Sequence, residues 1–466
     1  MRRRQIALAL VCLSVAGCTV GPNYQRPKVD VPPGYRGPQA NPAGGAPAGS
    51  LGNEKWWAVY HDPVLQQLIH TAIQQNYDVR IAATRVVEAQ AQLRLTRSNQ
   101  FPMVGTGAEI FSLKNPKLTS AFPAYEENVG QLDLSVIWNL DFWGKYRRET
   151  EAARDSVLAS EWGRRAVISS VVSSVATAYF QLRELDVALD ISRRTLASRQ
   201  DSLHLTQVLV DHGSASQLDL RQAQELVATA AETIPDLERQ VRQQEDLISD
   251  LVGENPQPIA RGLALIEQPV PLVVPAGIPS ELLERRPDIR EAEANLMAAN
   301  ANIGVAKASF FPNLSLTATG GLESYALNRL FTGAAGLWNA AASASQPVFQ
   351  AGALHAGLNL TTAQQQQMLL SYQQTIKEAF REVADALIAY QKYREYLEQQ
   401  QVLTDAAQDA DRLSKVLYQH GGVSYLQVLT SETNYFAAEL NLAQAQLNQR
   451  LALVQLYNSL GGGWEQ

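Results

Sequence analysis

The longest regular pattern in the chain is a helical one, and it occurs twice. Apolar residues recur at steps of four and three, a period near 3.5 that is typical of helices packed side by side in a supercoil. The first copy comprises Ile168, Val172, Val175, Tyr179, Leu182 and Leu189, and 208 positions later the second comprises Ile376, Phe380, Val383, Leu387, Tyr390 and Leu397. The turn His212-Gly213 likewise recurs as His420-Gly421. The sequence therefore predicts one structural unit used twice.

The duplication extends towards the N-terminus with a slightly different spacing. Upstream residues recur 210 positions later, the clearest pairs being Asp78 with Asp288, Arg80 with Arg290, Phe101 with Phe311 and Pro102 with Pro312. Each copy contains one long helix of about 68 residues, which would reach roughly 100 Å. The two shorter helices of a copy would stack to roughly 95 Å. Helices of this length need neighbours along their whole length, so the pattern predicts tall walls of antiparallel helices.

The period changes to two between Leu132 and Leu140, where apolar and polar residues alternate. This alternation predicts a strand with one apolar and one polar face, paired with Val104 to Leu113. The second copy contains a weaker pair, Leu314 to Ala318 and Trp338 to Phe349. Tilted strands of about 10 to 12 residues suit the wall of an outer-membrane barrel. Four strands cannot close a barrel, so several chains must contribute; two give eight strands, and the width of a helical tunnel favours three chains with twelve.

The N-terminus resembles a bacterial lipoprotein signal. Arg2 to Arg4 form a basic region, Ile6 to Val15 an apolar one, and Val15-Ala16-Gly17-Cys18 a lipobox, which predicts diacylglycerol and N-acyl (palmitate) chains on Cys18. An ordinary cleavage site beside an incidental cysteine is the alternative. The predicted domains are a signal peptide (1–17), a lipidated Pro- and Gly-rich tether (18–61), repeat 1 (62–253), a linker (254–279), repeat 2 (280–461) and a tail (462–466).

Composition narrows the function further. The formal net charge is −7 with 18 % charged residues, and the absence of a basic stripe argues against a nucleic-acid partner. The catalytic motifs GxSxG, GxxxxGK[ST] and HExxH are absent, and the six histidines lack ligand spacing. The chain is therefore predicted to be neither an enzyme nor a metalloprotein, with no cofactor besides the lipid on Cys18.

Several motifs carry a resemblance to the outer membrane efflux protein family, in the lipoprotein branch that serves tripartite drug exporters of the resistance-nodulation-division type. They are Gly17-Cys18-Thr19-Val20-Gly21-Pro22-Asn23-Tyr24, Trp56-Trp57, Asp62-Pro63, Leu140-Asp141-Phe142-Trp143-Gly144-Lys145, Arg285-Arg286-Pro287-Asp288-Ile289-Arg290 and Phe310-Phe311-Pro312. They occur in order along nearly the whole chain.

The resemblance implies a mainly α fold with membrane β structure. Long antiparallel helical hairpins would form a periplasmic α-barrel, and a homotrimer would share a twelve-stranded β-barrel in the outer membrane of a Gram-negative bacterium. It implies a passive exit duct for drugs or other small toxic compounds, working with a periplasmic adaptor and an inner-membrane pump and opened when the helix tips untwist. Two alternatives remain: the outer component of a protein-secretion system, and a non-channel coiled-coil lipoprotein scaffold. The predicted hairpins argue against the scaffold.

The resemblance also implies a gate at the helix turns. In a secretion relative, the residues at the positions of Asp219 and Tyr418 are hydrogen-bonded to each other. That relative has an arginine at the position of Val423 and carboxylates at those of Gln427 and Thr430, so its salt bridge and acidic ring do not transfer to this chain. The hypothesis is a closure held by Asp219 and Tyr418 with packing of Leu218, Val423 and Leu426. A solvated carboxylate that favours the helix N-terminus is the alternative for Asp219.

Overall fold

The structure is a computed structural model that describes residues 19–36, 49–114, 126–271 and 274–465. The first series of elements is α1 (Trp56–Val59), α2 (Pro63–Gln75), α3 (Tyr77–Ser98), β1 (Met103–Lys114), β2 (Glu126–Leu140), α4 (Lys145–Asp211) and α5 (Gln217–Val252). The second is α6 (Pro279–Arg285), α7 (Pro287–Ala308), β3 (Asn313–Ser324), β4 (Gly336–Ser345), α8 (Ala353–Gln419) and α9 (Tyr425–Ser459). Single 3-10 turns lie at Leu51–Asn53, Leu265–Glu267, Leu327–Arg329 and Gly333–Ala335. This order confirms the predicted mainly helical, tandem-duplicated fold.

The two long helices are copies of each other in length and in the way they end. Both α4 and α8 have 67 residues, close to the predicted length. Each is followed by a glycine in the left-handed region, Gly213 with φ 72° and Gly421 with φ 71°. A side chain at either position would strain the turn, because L-residues rarely adopt this conformation. The matching turns confirm that the duplicated sequence folds twice into the same hairpin of helices.

The two β-hairpins join into one antiparallel sheet in the order β1-β2-β3-β4. Val104 pairs with Val136, Val136 with Ala318, and Ala318 with Ala340. Both predicted hairpins are confirmed, although β2 begins earlier, at Glu126, and β3 continues further, to Ser324, than predicted, and the second hairpin ends early. There β4 stops at Ser345, opposite the first residue of β3, instead of reaching Phe349. The strand ends here because β3 offers no further partner and Pro347 has no N–H to donate.

The chain divides into two compact units, and each unit takes segments from both sequence repeats. Unit 1 contains the described residues of 1–28, 85–160 and 291–373, including the whole sheet. Unit 2 contains those of 29–84, 161–290 and 374–466. Its core is built on the predicted helical stripes, since Val172, Val175, Tyr179 and Val383 are all fully buried. Among the described helices, none is both long enough and apolar enough to span a membrane.

Candidate functional site

The sheet in unit 1 has two chemically different faces. The register pairs odd-numbered residues with odd-numbered residues across all four strands, so these lie on one face and the even-numbered residues on the other. The even face is apolar, with Leu132, Leu134, Val136, Trp138 and Leu140 along β2. The odd face carries Gln131, Asp133, Ser135 and Asn139 on the same strand. The predicted alternation is therefore confirmed along β2, with Ile137 as an exception, whereas the odd face of β1 also carries the apolar residues Met103, Phe111 and Leu113.

Carboxylates are the charged groups of the odd face. Glu109 and Glu323 flank Gln131 in one row of paired residues, and Asp133 lies in the next row along β2. Asp133 is flanked by Gly107 and Gly321, where an added Cβ would come within 3.0 Å of its side chain. Small neighbours thus leave room for this carboxylate. In the described strands no lysine or arginine lies on the odd face, so its electrostatic potential is negative.

The sheet leaves both edge strands unpaired, and large apolar side chains are exposed on or next to them. Ile110 on β1 is 69 % exposed and Trp338 on β4 is 82 % exposed, while Val348 and Phe349 beyond β4 are 97 % and 86 % exposed. An apolar face with two free backbone edges is unstable in water. The surroundings of this sheet must therefore supply both apolar contacts and strand partners.

The helix turns of unit 2 hold the predicted gate residues, and Asp219 has a local role there. Its Oδ2 accepts hydrogen bonds from the backbone N of Ser216 at 2.9 Å and from the Ser216 Oγ at 2.8 Å. The Ser216 Oγ in turn accepts from the backbone N of Asp219 at 3.1 Å. This reciprocal capping box stabilises the start of α5. Asp219 therefore has the helix-start role that was the alternative to gating.

Tyr418 lies in an apolar cluster at the second turn. Its ring centroid is 5.3 Å from that of Tyr425, and it packs on a buried group that includes Val428 and Leu429. Burial raises the pKa of Tyr418, and the negative charge of Asp219 raises it further. The charge of Asp219 thus acts on Tyr418, but among the described residues no hydrogen bond joins their side chains.

The other predicted gate residues are exposed or half-buried in the single chain. Leu218 is 66 % exposed and Leu426 is 59 % exposed. Val423 is half-buried, and Gln427 is exposed. The predicted closure, including the bond between Asp219 and Tyr418, therefore remains a prediction about assembled chains.

A buried polar cluster further along the same helices was not predicted. The Nζ of Lys415 on α8 lies 3.0 Å from the Asp411 carboxylate and 2.9 Å from that of Glu432 on α9. Burial lowers the pKa of Lys415, but its hydrogen bonds to these two carboxylates outweigh burial and leave the pKa raised. The cluster lines a cavity of about 140 Å3 together with Arg199, whose Nε has no hydrogen-bond partner among the residues that the structure describes. Asp411 and Lys415 are an i,i+4 pair on α8, but Glu432 and Arg199 come from other helices, so no local motif predicts the whole cluster.

The N-terminal segment, predicted to be a tether, is bound to the helices of unit 1 by side-chain hydrogen bonds. Arg148 on α4, only 3 % exposed, donates to the Asn23 Oδ1 at 2.7 Å and to the carbonyl of Val20 at 3.3 Å. Glu293 on α7 accepts from the Tyr24 hydroxyl at 3.2 Å and from the Arg26 Nη2 at 3.0 Å. Residues 19–26 therefore form an extended strap held on the helices. The predicted signal peptide and the lipidation site Cys18 lie outside the described residues.

The two turn histidines are fixed by the backbone. The Nδ1 of His212 lies 2.7 Å from the Val208 carbonyl, and that of His420 lies 2.8 Å from the Val416 carbonyl. A carbonyl accepts, so each Nδ1 carries the proton that caps its helix end. No group of three or more potential metal ligands occurs in the part of the chain that the structure describes.

Comparisons with known proteins agree on one family. The family model described as outer membrane efflux protein matches residues 68–254 and 278–462. The chain is 36 % identical to the probable efflux pump outer membrane protein TtgC of Pseudomonas putida, over all of this chain and 96 % of the relative. It is 35 % identical to the cation efflux system protein CusC of Escherichia coli O6:H1, over 98 % of each chain. The open-state structure of the Neisseria gonorrhoeae outer membrane channel MtrE matches with a TM-score of 0.87 and 30 % identity, over 96 % of this chain and 99 % of that one.

Proposed function

Because the chain belongs to the outer membrane efflux protein family, we propose that three copies of it form the exit duct of a tripartite efflux pump. The protein is located in the outer membrane and is an efflux channel protein, not an enzyme.

The two-faced sheet with free edges is the observation that carries the proposal. Its even face, with Leu132, Leu134 and Val136, suits contact with lipid, and its odd face suits a watery interior. Unpaired strand edges are not tolerated in hydrocarbon, so the four strands of one chain need further strands on both sides. Three chains would supply twelve strands, enough to close a barrel around a channel.

The helices suit a periplasmic tunnel continuous with such a barrel. A helix of 67 residues is roughly 100 Å long, which is far longer than one compact core can cover. Three copies would place six long helices and their shorter companions side by side in an α-barrel. The turns at Gly213 and Gly421 would form its far end, where a periplasmic adaptor and an inner-membrane pump of the resistance-nodulation-division type would dock.

Lipid chains would anchor the assembly at its N-terminus. We assign an N-acyl chain and S-diacylglycerol to Cys18, which together supply the two membrane signals that stable anchoring requires. The strap that follows, with Asn23 bound to Arg148 and Tyr24 and Arg26 bound to Glu293, would hold the lipidated end against unit 1. Mass spectrometry of the mature N-terminus tests this assignment. A free Cys18 thiol there would refute it.

The duct would be closed at the helix turns until its partners open it. In the closed trimer, Tyr418 would donate a hydrogen bond to Asp219, and Leu218, Val423 and Leu426 would pack across the turns. A hydrogen bond to a charged group contributes about 1.5 to 3 kcal/mol, and three symmetric copies would act together. The nearness of the Asp219 charge to Tyr418 supports this pairing, because that charge raises the pKa of Tyr418.

Single-channel conductance tests the gate with a matched control. Tyr418→Phe and Asp219→Ala should both raise the closed-state current in planar bilayers. Ser216→Ala removes the hydroxyl of the capping box but leaves the Asp219 carboxylate in place. It should therefore leave the current unchanged. If Asp219→Ala and Ser216→Ala gave the same closed-state current, the Asp219 carboxylate would have no role in closure beyond capping α5, and the proposed gate would be refuted.

The cargo is proposed to be drugs or other small toxic compounds, and the duct itself would be passive. One relative is called an efflux pump component and another a cation efflux system protein, so the test panel should contain organic toxins and metal cations. A deletion strain should become sensitive to at least one compound and recover when the gene is restored. A purified protein that remained monomeric and added no conductance to bilayers would overturn the proposed duct.

A further inference from the structure

Because the chain is a tandem duplication, the strand pairing inside it indicates how the two free edges of the sheet can pair. β1 and β3 are equivalent strands 210 positions apart, and β2 and β4 are equivalent strands 208 positions apart. These spacings reproduce the structure: the pair Met103 and Ile137 in the first hairpin becomes the observed pair Asn313 and Ser345 in the second. The duplication therefore preserves strand register as well as strand order.

The seam between β2 and β3 joins the two halves of one chain, and it has the same strand types as the two free edges. On one side is the second strand of a hairpin, and on the other the first strand of the next hairpin. A ring of copies would repeat this junction, with β4 of one copy beside β1 of the next. The observed pair Val136 and Ala318 then corresponds to Ala344 opposite Ala108 of the next copy.

We infer that β4 pairs with β1 of the next copy in the register that places Ala344 opposite Ala108 and Ser343 opposite Glu109. This inference rests on the proposed trimer and specifies its membrane seam residue by residue. The partner is a second copy of this chain, and the internal seam between β2 and β3 is the argument for it.

The register keeps the two faces of the sheet continuous. Ala344 and Ala108 are both even-numbered and join apolar face to apolar face, whereas Ser343 and Glu109 join polar face to polar face. A shift by one residue would place apolar side chains in the channel and polar ones in lipid. Shifts by two residues keep the faces, so the duplication is what selects among them.

The register also accounts for the exposed residues that follow β4. It places Val348 opposite Val104 and Phe349 opposite Met103 of the next copy, as Leu140 lies opposite Leu314 within one chain. All four residues are at least 60 % exposed in the single chain. In the ring they would cover one another. Val348 and Phe349, the most exposed apolar side chains beyond β4, are thereby assigned to a contact with the start of β1.

Cysteine cross-linking in outer-membrane vesicles tests the register. Mature chains have Cys18 as their only cysteine if the signal peptide is removed, because the other cysteine is Cys12. The double variant A108C/A344C should form disulfides between chains, since directly opposite residues in antiparallel strands lie within bonding distance. On a non-reducing gel the monomer band should shift to multiples of its mass, and dithiothreitol should reverse the shift.

A shifted pair provides the matched control. A108C/A342C uses the same face and the same substitutions, but the register places position 342 opposite Ile110, two residues away. This variant and the two single variants should remain at the monomer mass. Preferential linking of A108C/A342C within an intact trimer would refute the register alone. Failure of the unlinked protein to form any oligomer would refute the proposed trimer and the register together.

Discussion

Replacing Asp62 by alanine should destabilise the protein more than the loss of any ordinary helix cap. Asp62 is fully buried and caps α2, with its Oδ1 accepting from the backbone N of Val64 at 2.8 Å. Its Oδ2 accepts from the Tyr179 hydroxyl at 2.8 Å, the backbone N of Leu263 at 2.9 Å and the Gln268 Nε2 at 2.7 Å. One carboxylate thus joins α2, α4 and the connection between the repeats within unit 2.

The size of the effect follows from the donors that alanine would leave behind. The cap itself is worth about 1 kcal/mol. The buried Tyr179 hydroxyl and Gln268 Nε2 and the half-buried Leu263 N–H would then lose this acceptor, although the Gln268 Nε2 keeps the Leu263 carbonyl at 3.2 Å. Each buried donor left without a partner costs about 1 to 3 kcal/mol when water cannot reach it. Some relaxation will admit water, so we expect a total loss of about 4 kcal/mol. Tyr179→Phe removes one donor to Asp62 and the acceptor of the Gly262 N–H, and it should cost less, about 1 to 2 kcal/mol.

Thermal unfolding in detergent, followed by circular dichroism at several scan rates, measures these differences. The average unfolding entropy per residue implies about 1 °C of Tm per kcal/mol for a chain of 466 residues. Asp62→Ala should therefore lower Tm by about 4 °C. Ser216→Ala is the control, because it removes an exposed helix cap and leaves no buried donor without an acceptor. If Asp62→Ala lowered Tm no more than Ser216→Ala, the account of Asp62 as a buried hub would be wrong.

Three further predictions concern the channel wall, pH and the strap. Glu109→Gln combined with Asp133→Asn should reduce the preference of the proposed channel for cations, because the two changes remove carboxylates from the polar face. The reversal potential in a KCl gradient should move towards zero. An unchanged potential would contradict the proposed lining. Burial, and secondarily the charge of Glu151, raises the pKa of Asp155 from 3.8 to about 6, so the folded state holds this proton more tightly and stability falls as pH rises through that range. Asp155→Asn should therefore stabilise the protein at pH 7 by on the order of 1 kcal/mol, allowing for solvent screening. Below the ordinary pKa of Asp155, at which both states are protonated, the substitution should give no gain in stability. Urea unfolding at pH 7 and below that pKa measures the difference, and an equal gain at the two pH values would contradict this reasoning. Glu293→Gln should loosen the strap, seen as faster hydrogen exchange of amides 19–26 with unchanged protection in the sheet, and unchanged exchange of the strap would show that Arg148 alone holds it.

Most of the fold could be predicted because its signals are periodic and repeated. The stripe containing Val172, Val175 and Tyr179 has the helical period that the core of unit 2 requires. The same stripe recurs 208 positions later, which supports the predicted length of the long helix. The alternation between Leu132 and Leu140 gave the face of the sheet as well as the strand. Asp62 and Pro63 are residue types that favour the N-cap and the first position of a helix, and Asp62 does cap α2.

The site was harder to predict because its contacts join distant parts of the chain. Nothing in the sequence near Asp62 indicates that Leu263 and Gln268 are its partners. The cluster around Lys415 likewise depends on how α8 and α9 pack, which sequence spacing alone does not specify. The strap was predicted to be an extended tether from its prolines and glycines; its extended course agrees, but its anchoring by Arg148 could not be seen without the helix it binds.

The differences between the two copies are more informative about function than their similarities. Both helix turns share a glycine of the same conformation, so the turn itself is structural. Only the first has a capping box, through Ser216 and Asp219, whereas Ser424 at the second turn makes no capping hydrogen bond. The second turn instead rests on packing of Tyr418 against Tyr425. Packing can rearrange without leaving a buried charge unpaired, whereas breaking the box would leave the helix start uncapped. In the proposed duct, the second turn would therefore be the one that moves at lower cost on opening.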